Sequence, residues 1–331
     1  MTDALLELRA VHRDFTTAQG VHRAVRGLDL AVGPGEVVAV LGPNGAGKTT
    51  TVKMAATLLV PTSGEVFLAG VDAVARPDEA RRHLGLVLGG DRGFYGRASA
   101  RENLDFFAAL QRVDARSRRA RVTGVLEIVG LGAAAHRRVE TFSRGMRQRL
   151  HLARAILAEP ALLLLDEPSL GLDPEGARDL HDLVVRLRGE GRGVLLTSHH
   201  LVEVERLADR IVVVSGGRVA FSGTASAIAR HVGISAVRSM VVSSRIDPTA
   251  SLAGLPGVVE VLCDEKRGAW SVDLLFGEGA PFQHQPCLPP GIEVLSSVSR
   301  APTLEEAYLA LVASEREREQ HPGAGERGEP C

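Results

Sequence analysis

The chain has 331 residues, of which 45% are hydrophobic, and its formal net charge is −1. This length can bury one large domain and a small one, and the balanced charge gives no global sign of nucleic-acid binding. The three cysteines, Cys263, Cys287 and Cys331, are too few to stabilise the fold by disulfide bonds or to form a metal site. This number of cysteines suits a reducing cytoplasm. No run approaches the roughly 18 apolar residues of a membrane span, and the polar start is not a signal peptide. We therefore expect any membrane role to depend on a partner.

The N-terminal residues have the pattern of β-strands. Residues 5–29 alternate in strand fashion around Phe15. A turn at residues 33–36 then leads into an apolar run of strand length, residues 37–41. The sequence predicts a β region at this edge of the domain, followed by a buried strand.

A phosphate-binding loop follows that strand. The stretch GPNGAGKTT fits G-x-x-x-x-G-K-[ST] without exception. Its glycines let backbone N–H groups converge on phosphate oxygens, Lys48 reaches the β- and γ-phosphates, and the Thr49 hydroxyl can ligate Mg²⁺. We expect a helix over residues 48–59, ended by a turn at residues 61–64. The predicted nucleotide contacts are Gly42, Pro43, Asn44, Gly45, Ala46, Gly47, Lys48, Thr49 and Thr50.

Further strands alternate with helical patterns, which indicates a mostly parallel α/β core. The continuously apolar runs at residues 162–165 and 211–214 are typical of central strands buried on both faces. Between residues 98 and 158 only helical periodicity appears, so we expect a helical insertion at about residues 90–158. Its arginine-rich part, residues 112–121, lacks interleaved aromatics and is interpreted as a solvated helix face rather than a nucleic-acid surface. The remaining predicted strands lie at residues 65–68, 84–88, 193–197 and 218–222.

An acidic pair follows the apolar run at residues 162–165. Asp166 and Glu167 stand at its carboxyl end, where ligands bind in open α/β sheets. We expect Asp166 to hold the Mg²⁺ shell and Glu167 to accept a proton from the attacking water. Taken alone, the pair could equally be two acids that cap a buried strand at the surface.

About ninety residues after the phosphate loop, the stretch TFSRGMRQRL precedes LLLLDEP. A serine-glycine turn that opens a helix just before an Asp-Glu strand end resembles the signature motif of ABC-type ATPases, and residues 5–223 resemble the nucleotide-binding subunit of an ABC transporter. The commonest signature is L-S-G-G-Q, whereas this chain has FSRGM. Ser143 can still donate a hydroxyl, and Gly145 permits close backbone approach. The resemblance implies that both contact ATP on a second copy of the chain, in a head-to-tail homodimer.

The resemblance assigns roles to other residues as well. Phe15 matches the aromatic that stacks on adenine, and Asp173 closes the segment at residues 169–173 that links the two halves of the dimer. His199 matches the switch histidine at the γ-phosphate, although the adjacent His200 competes for that assignment. With Glu167 and Lys48, His199 completes the predicted catalytic set.

One expected element is missing. The family's loop glutamine falls on Gly89 or Gly90, followed by Asp91. Either Asp91 substitutes for it or the contact is omitted, and the GGDRGFY segment then serves to dock a membrane partner.

The composition changes after residue 223. Strand-like pieces and a helical pattern at residues 304–311 predict a small α+β domain over residues 235–313, after an ATPase domain over residues 1–230. The ending Pro302, Thr303, Leu304, Glu305 and Glu306 resembles ATPase subunits of ABC-2-type exporters. We expect residues 314–331 to be disordered. The predicted strands of this domain are residues 240–243, 258–262, 271–275 and 292–297.

Taken together, the resemblance implies a Mg²⁺-dependent ATPase that lies peripherally on the cytoplasmic face of the membrane. It would power export of a drug, antibiotic or lipid-like substrate through a separate permease, with no nucleic-acid partner. An importer ATPase shares every core motif, and a soluble ABC ATPase is a further alternative. The latter is less favoured because the chain has one cassette and no coiled-coil or zinc interruption.

Overall fold

The computed structural model describes residues 4–18, 20–88, 93–266, 269–279 and 288–320, without the side chains of Lys266 and of residues 316–320. The chain forms two compact units, Met1–Ser222 and Gly223–Cys331, which we call the N-terminal and C-terminal units. No helix among the described residues is long and apolar enough to cross a membrane.

The N-terminal unit combines strands and helices in alternation over much of its length. Its strands are β1 (Leu6–Thr17), β2 (Gly20–Val32), β3 (Val37–Leu41), β4 (Ser63–Leu68), β5 (Val71–Asp72), β6 (Leu84–Val87), β7 (Leu162–Asp166), β8 (Gly193–Thr197), β9 (Arg210–Ser215) and β10 (Arg218–Gly223). Its helices are α1 (Lys48–Ala55), α2 (Pro77–Ala80), α3 (Ala100–Leu110), α4 (Ala115–Ile128), α5 (Arg144–Ile156), α6 (Pro174–Gly189) and α7 (Leu201–Leu207). Short 3₁₀ turns lie at Arg81–His83, Gly132–Ala134 and Val139–Thr141.

These strands form two sheets. The core sheet has the order β10-β9-β3-β8-β7-β6, and β3, β6, β7, β8 and β9 pair in parallel. Every residue of β3 and β8 is buried, as a parallel sheet covered on both faces requires. The second sheet has the order β2-β1-β4-β5 and is antiparallel. The predicted parallel core and β edge region are therefore both present, and the carboxyl ends of β3, β7 and β8 lie side by side.

The helix behind the phosphate loop is shorter than predicted. It was expected to reach residue 59 but ends at Ala55, and Thr57 has a left-handed φ of 59°. A β-branched residue in this conformation cannot continue a right-handed helix. Residues 98–158 contain α3, α4, α5 and two of the 3₁₀ turns, and the N-cap residue of α3, Ser99, forms a capping box with Glu102.

The C-terminal unit is built around an antiparallel sheet. Its elements are α8 (Ala225–His231), β11 (Ile234–Ser243), α9 (Thr249–Ala253), β12 (Val258–Lys266), β13 (Ala269–Gly277), β14 (Glu293–Arg300) and α10 (Leu304–Gln320), with the sheet order β12-β13-β11-β14. Met240, Val272 and Leu274 pack with Leu252 of α9 in its core.

The prediction of disorder at the end of the C-terminal unit is wrong for its first residues. Disorder was expected from Ser314, but α10 continues to Gln320. The added residues, SEREREQ, are mostly Glu, Arg and Gln, which are strong helix formers. A charge-rich stretch whose composition predicts disorder therefore continues α10. Residues 321–331 lie outside the described residues.

Candidate active site

The phosphate loop connects β3 to α1 through glycines that no other residue can replace. Gly42 has a φ of 152°, and a Cβ there would lie 2.2 Å from the carbonyl oxygen of Val214. Gly47 has a φ of 105°, and its Cβ would lie 2.5 Å from the carbonyl oxygen of Ala24. Both positions thus require glycine for backbone conformation and for space. They fix the loop closely against its neighbouring strands.

Lys48 points back into this loop. Its Nζ donates hydrogen bonds to the carbonyl oxygens of Gly42 and of Pro43, the latter at 3.1 Å. Burial lowers the pKa of Lys48, while the nearby carboxylates of Glu167 and Asp166 act in the opposite direction. The ammonium is thereby held in the loop where an anionic ligand would meet it.

Asp166 and Glu167 are organised by one threonine. Asp166 and Thr197 are register partners in the parallel pair of β7 and β8. The Thr197 hydroxyl donates to Asp166 Oδ1 at 2.6 Å and accepts from the backbone N–H of Glu167 at 3.1 Å. A single side chain therefore orients both members of the acidic pair.

Glu167 contacts His199 at two points. Its Oε1 lies 3.2 Å from His199 Nε2, and its Oε2 accepts from the backbone N–H of His199 at 3.3 Å. Glu167 has a left-handed φ of 51°, which is uncommon for a residue with a long side chain. The adjacent His200 precedes α7 and donates its backbone N–H to Ser198. Of the two histidines, His199 is the one at the acidic pair.

Most of the predicted residues meet in one open pocket of about 300 Å³. It brings together residues from the loop, from β1 and from the ends of β7 and β8. Its lining residues are Phe15, His22, Ala24, Pro43, Asn44, Gly45, Ala46, Gly47, Lys48, Thr49, Thr50, Asp166, Glu167, Thr197 and His199.

The predicted aromatic residue lies at the edge of this pocket. The guanidinium carbon of Arg13 is 4.7 Å from the ring centroid of Phe15, within cation–π range. His22 is the register partner of Phe15 across β1 and β2. The ring is therefore held by its neighbours and lines the pocket beside an imidazole.

Gly42 directly precedes the lining loop residues, and three further predicted residues, all distant from the loop in sequence, do not line this pocket either. Ser143 caps α5, where its Oγ accepts from the backbone N–H of Met146 at 3.2 Å. Asp173 caps α6, where its Oδ1 accepts from the backbone N–H of Gly176 at 2.8 Å. Gly145 lies in the first turn of α5, and a Cβ there would meet Leu172 Cδ2 at an ordinary 3.6 Å and Ser143 Oγ at 4.0 Å. Gly89, Gly90 and Asp91 lie outside the described residues.

Sequence reasoning missed three residues that line this pocket, Thr197, His22 and Ala24, and also Arg13, which packs on the ring of Phe15. Thr197 and His22 become recognisable only once the pairing of β7 with β8 and of β1 with β2 is known. Arg13 carries a weak signal, because it lies two residues before Phe15 and thus on the same face of the strand.

The donor set fits a nucleoside triphosphate with a divalent cation. A glycine cradle and a buried ammonium suit phosphate oxygens, and the Thr49 hydroxyl and Asp166 carboxylate are hard oxygen ligands suited to Mg²⁺. Glu167 stands beside them as a carboxylate that can accept a proton.

Comparison with known proteins agrees with this geometry. A family model described as "ABC transporter" matches residues 25–170. The daunorubicin resistance ATP-binding protein DrrA3 of Streptomyces coeruleorubidus is 38% identical over 303 residues, which cover 90% of this chain and 93% of that protein. The chain belongs to the ABC transporter ATP-binding family. The ABC transporter ATP-binding protein NatA of Bacillus subtilis is 36% identical over 219 residues, 66% of this chain and 89% of NatA.

Solved structures of the family share the fold. One, described as an ATP-binding subunit of an ABC transporter, has a TM-score of 0.63 and 30% identity, and the match covers 69% of this chain and 93% of that one. A dimeric ATP-binding cassette, MJ0796 bound to ADP and Pi, has a TM-score of 0.61 and 24% identity over 66% of this chain and 98% of that one. The predicted fold class is confirmed, and this ABC protein is an ATP-binding ATPase.

Proposed function

We propose that this ABC ATPase powers the export of a drug-like substrate through a separate membrane permease. The observation that carries the proposal is the similarity to a daunorubicin resistance protein over 90% of this chain, a length that exceeds the N-terminal unit and reaches into the C-terminal unit. The match to NatA, by contrast, spans 219 residues, about the length of the N-terminal unit alone. An importer is not favoured, because several of the relatives are named for drug resistance.

Within the N-terminal unit, the loop backbone and Lys48 hold the phosphates, and Phe15 stacks on adenine. Thr49 and Asp166 ligate Mg²⁺, which shields the phosphate charge when bound. Glu167 accepts the proton of the attacking water, and His199 contacts the γ-phosphate beside it. The 3.2 Å separation between Glu167 Oε1 and His199 Nε2 supports a joint role for these two residues.

A second copy of the chain completes each site. Ser143, Gly145 and Asp173 do not line the pocket of their own chain, yet Ser143 stands at the N-terminus of α5, a helix of 13 residues whose end attracts anions. In a head-to-tail dimer this end faces the ATP held by the partner. Glycine at position 145 supports the same arrangement, because a Cβ there would meet its own chain only at ordinary contact distances, 3.6 Å or more, so packing within the chain does not require glycine.

The permease contacts the helical region at the cytoplasmic face of the membrane. The exposed fractions of Tyr95, Phe106 and Leu110 are 59%, 46% and 67%. The rings of Tyr95 and Phe106 meet edge to face at 5.3 Å, and Leu110 is one turn beyond Phe106 on α3. This exposed apolar strip directly follows the GGDR segment and supports docking of an apolar partner surface.

The test uses drug efflux in cells that express the chain together with a candidate permease. Glu167→Gln should lower ATP hydrolysis about 10²- to 10⁴-fold and abolish efflux, while ATP still binds, because only the proton acceptor is lost. Phe106→Ser should abolish efflux and leave hydrolysis by the purified chain unchanged. Glu175→Gln, an exposed change on α6, is the matched control. Efflux that persists in Glu167→Gln cells would refute the proposal.

A further inference from the structure

Apart from the residues already described, one carboxylate joins three separate parts of the N-terminal unit. Glu203 lies in the first turn of α7. Its Oε2 accepts from the hydroxyl of Ser169 at 2.6 Å and from the hydroxyl of Ser198 at 3.4 Å. Its Oε1 lies 3.8 Å from Nε2 of His181 on α6. These contacts are almost closed to solvent, with Ser169 4% and Ser198 3% exposed.

The two serines flank the catalytic pair. Ser169 comes two residues after Glu167 and begins the segment at residues 169–173. Ser198 comes directly before His199, and its hydroxyl accepts from the backbone N–H of His200 at 3.0 Å. Glu203 thus fixes the chain on both sides of the contact between Glu167 and His199.

The bond to Ser169 is the stronger of the two. An O–H···O⁻ distance of 2.6 Å is in the range of charge-assisted hydrogen bonds, which are about twice as strong as neutral ones. Such a bond in a buried setting holds its partners in one arrangement. The segment that begins at Ser169 is also held from α5, because Gln148 Nε2 donates to the carbonyl oxygen of Pro168 at 2.8 Å.

We propose that Glu203 is a positioning residue that keeps Glu167 and His199 in contact and couples them to the segment at residues 169–173. This proposal rests on the proposed ATPase role of that pair. A movement of the segment, as on contact with a second copy, is transmitted through Ser169 and Glu203 to the backbone around His199. Glu203 itself does not line the pocket that holds Lys48, Glu167 and His199.

The test compares Glu203→Gln with Glu205→Gln, an exposed glutamate on the same helix. Glu203→Gln keeps an acceptor for Ser169 but loses its charge. We expect kcat for ATP to fall roughly tenfold, KM to change less than about twofold, and the Hill coefficient for ATP to decrease, since a charge-assisted bond is weakened. Glu205→Gln should match the unmodified chain.

Two further measurements separate positioning from simple loss of stability. Hydrogen exchange should quicken at the amides of Leu172 and His200 in Glu203→Gln, whereas the melting temperature should stay near that of the control. Ser169→Ala should reproduce the kcat effect, and the double variant should be no worse than either single one.

An unchanged kcat in Glu203→Gln would overturn the positioning role, even if hydrogen exchange at Leu172 and His200 became faster. If the unmodified chain did not hydrolyse ATP, the proposed function would fail, whereas the hydrogen-exchange contrast would still report on Glu203.

Discussion

Gly145 lies in the first turn of α5, where a methyl group would meet Leu172 Cδ2 at 3.6 Å and Ser143 Oγ at 4.0 Å, both ordinary contact distances. The glycines of the phosphate loop differ from it, because at Gly42 and Gly47 a Cβ would collide with backbone carbonyl oxygens of the same chain. A helical glycine at a position with room for a Cβ lowers helix stability relative to alanine. We therefore infer that contact with a second chain, rather than packing within this one, requires glycine at position 145.

Gly145→Ala should raise stability and lower activity. We expect the free energy of unfolding to rise by about 0.5 kcal/mol, because alanine favours the helix. ATP hydrolysis should fall at least tenfold, since the methyl group occupies the space that the partner's nucleotide needs. Denaturant unfolding and a hydrolysis assay measure the two effects.

Gly124→Ala supplies the matched control, since Gly124 lies within α4 and a Cβ there meets nothing within 4 Å. It should stabilise the chain to a similar extent and leave hydrolysis unchanged. Normal hydrolysis in Gly145→Ala would contradict the cross-subunit role of the signature turn.

Residues in motifs were predictable from the sequence, and residues defined by strand pairing were not. Motif spacing pointed to Lys48, Asp166 and Glu167, the family resemblance pointed to His199, and all four side chains line one pocket. Thr197, however, organises the acidic pair only through its register with Asp166. Glu203 gave no signal, since its contacts depend on how α7 packs against the turn at Ser169 and against His181 of α6.

At the scale of elements, the closing motif of the C-terminal unit has a structural explanation. The backbone N–H of Thr303 donates to Glu306 Oε2 at 2.8 Å, and Thr303 Oγ1 accepts from the backbone N–H of Glu306 at 3.3 Å, which is a capping box at the start of α10. Arg300 of β14 donates to both oxygens of Glu306. The motif therefore fixes α10 to β14.

Burial alone would raise the pKa of Glu306, but hydrogen bonds from Arg300 and from the Thr303 backbone hold it below its ordinary value of 4.5. A carboxylate with a lowered pKa stabilises the fold above the unfolded pKa, and this contribution is lost as pH falls through the folded value. We expect Glu306→Gln to lower the stability of the C-terminal unit at pH 7 by about 1–2 kcal/mol and to weaken its acid sensitivity below pH 4.5.

Tryptophan fluorescence reports this effect selectively, because the chain has one tryptophan, Trp270, and it lies in β13. Glu305→Gln is the control, because Glu305 stands next to Glu306 on α10 but is exposed, whereas Glu306 is buried. Equal unfolding midpoints for the two variants would contradict the stabilising role of the pair with Arg300.

At the scale of the whole molecule, the alternation of strands and helices was sufficient to predict the parallel core and the helical region. Ends of elements were less predictable, as α1 and α10 show, because they depend on single backbone conformations and on local helix propensity. Ser143, Gly145 and Asp173 do not line the pocket of their own chain. Their proposed ligand is the nucleotide bound by another copy.

The central claim is that two copies complete each ATP site, and the molar mass of the chain in solution tests it most directly. Glu167→Gln with ATP should elute at twice the mass of a single chain in light-scattering chromatography, because slow hydrolysis keeps the dimer closed. The same chain with Ser143→Arg added should bind ATP and remain at the mass of one chain, because the arginine blocks docking of the partner's γ-phosphate. A single-chain mass for Glu167→Gln with ATP, or an undiminished dimer with Ser143→Arg, would contradict the account.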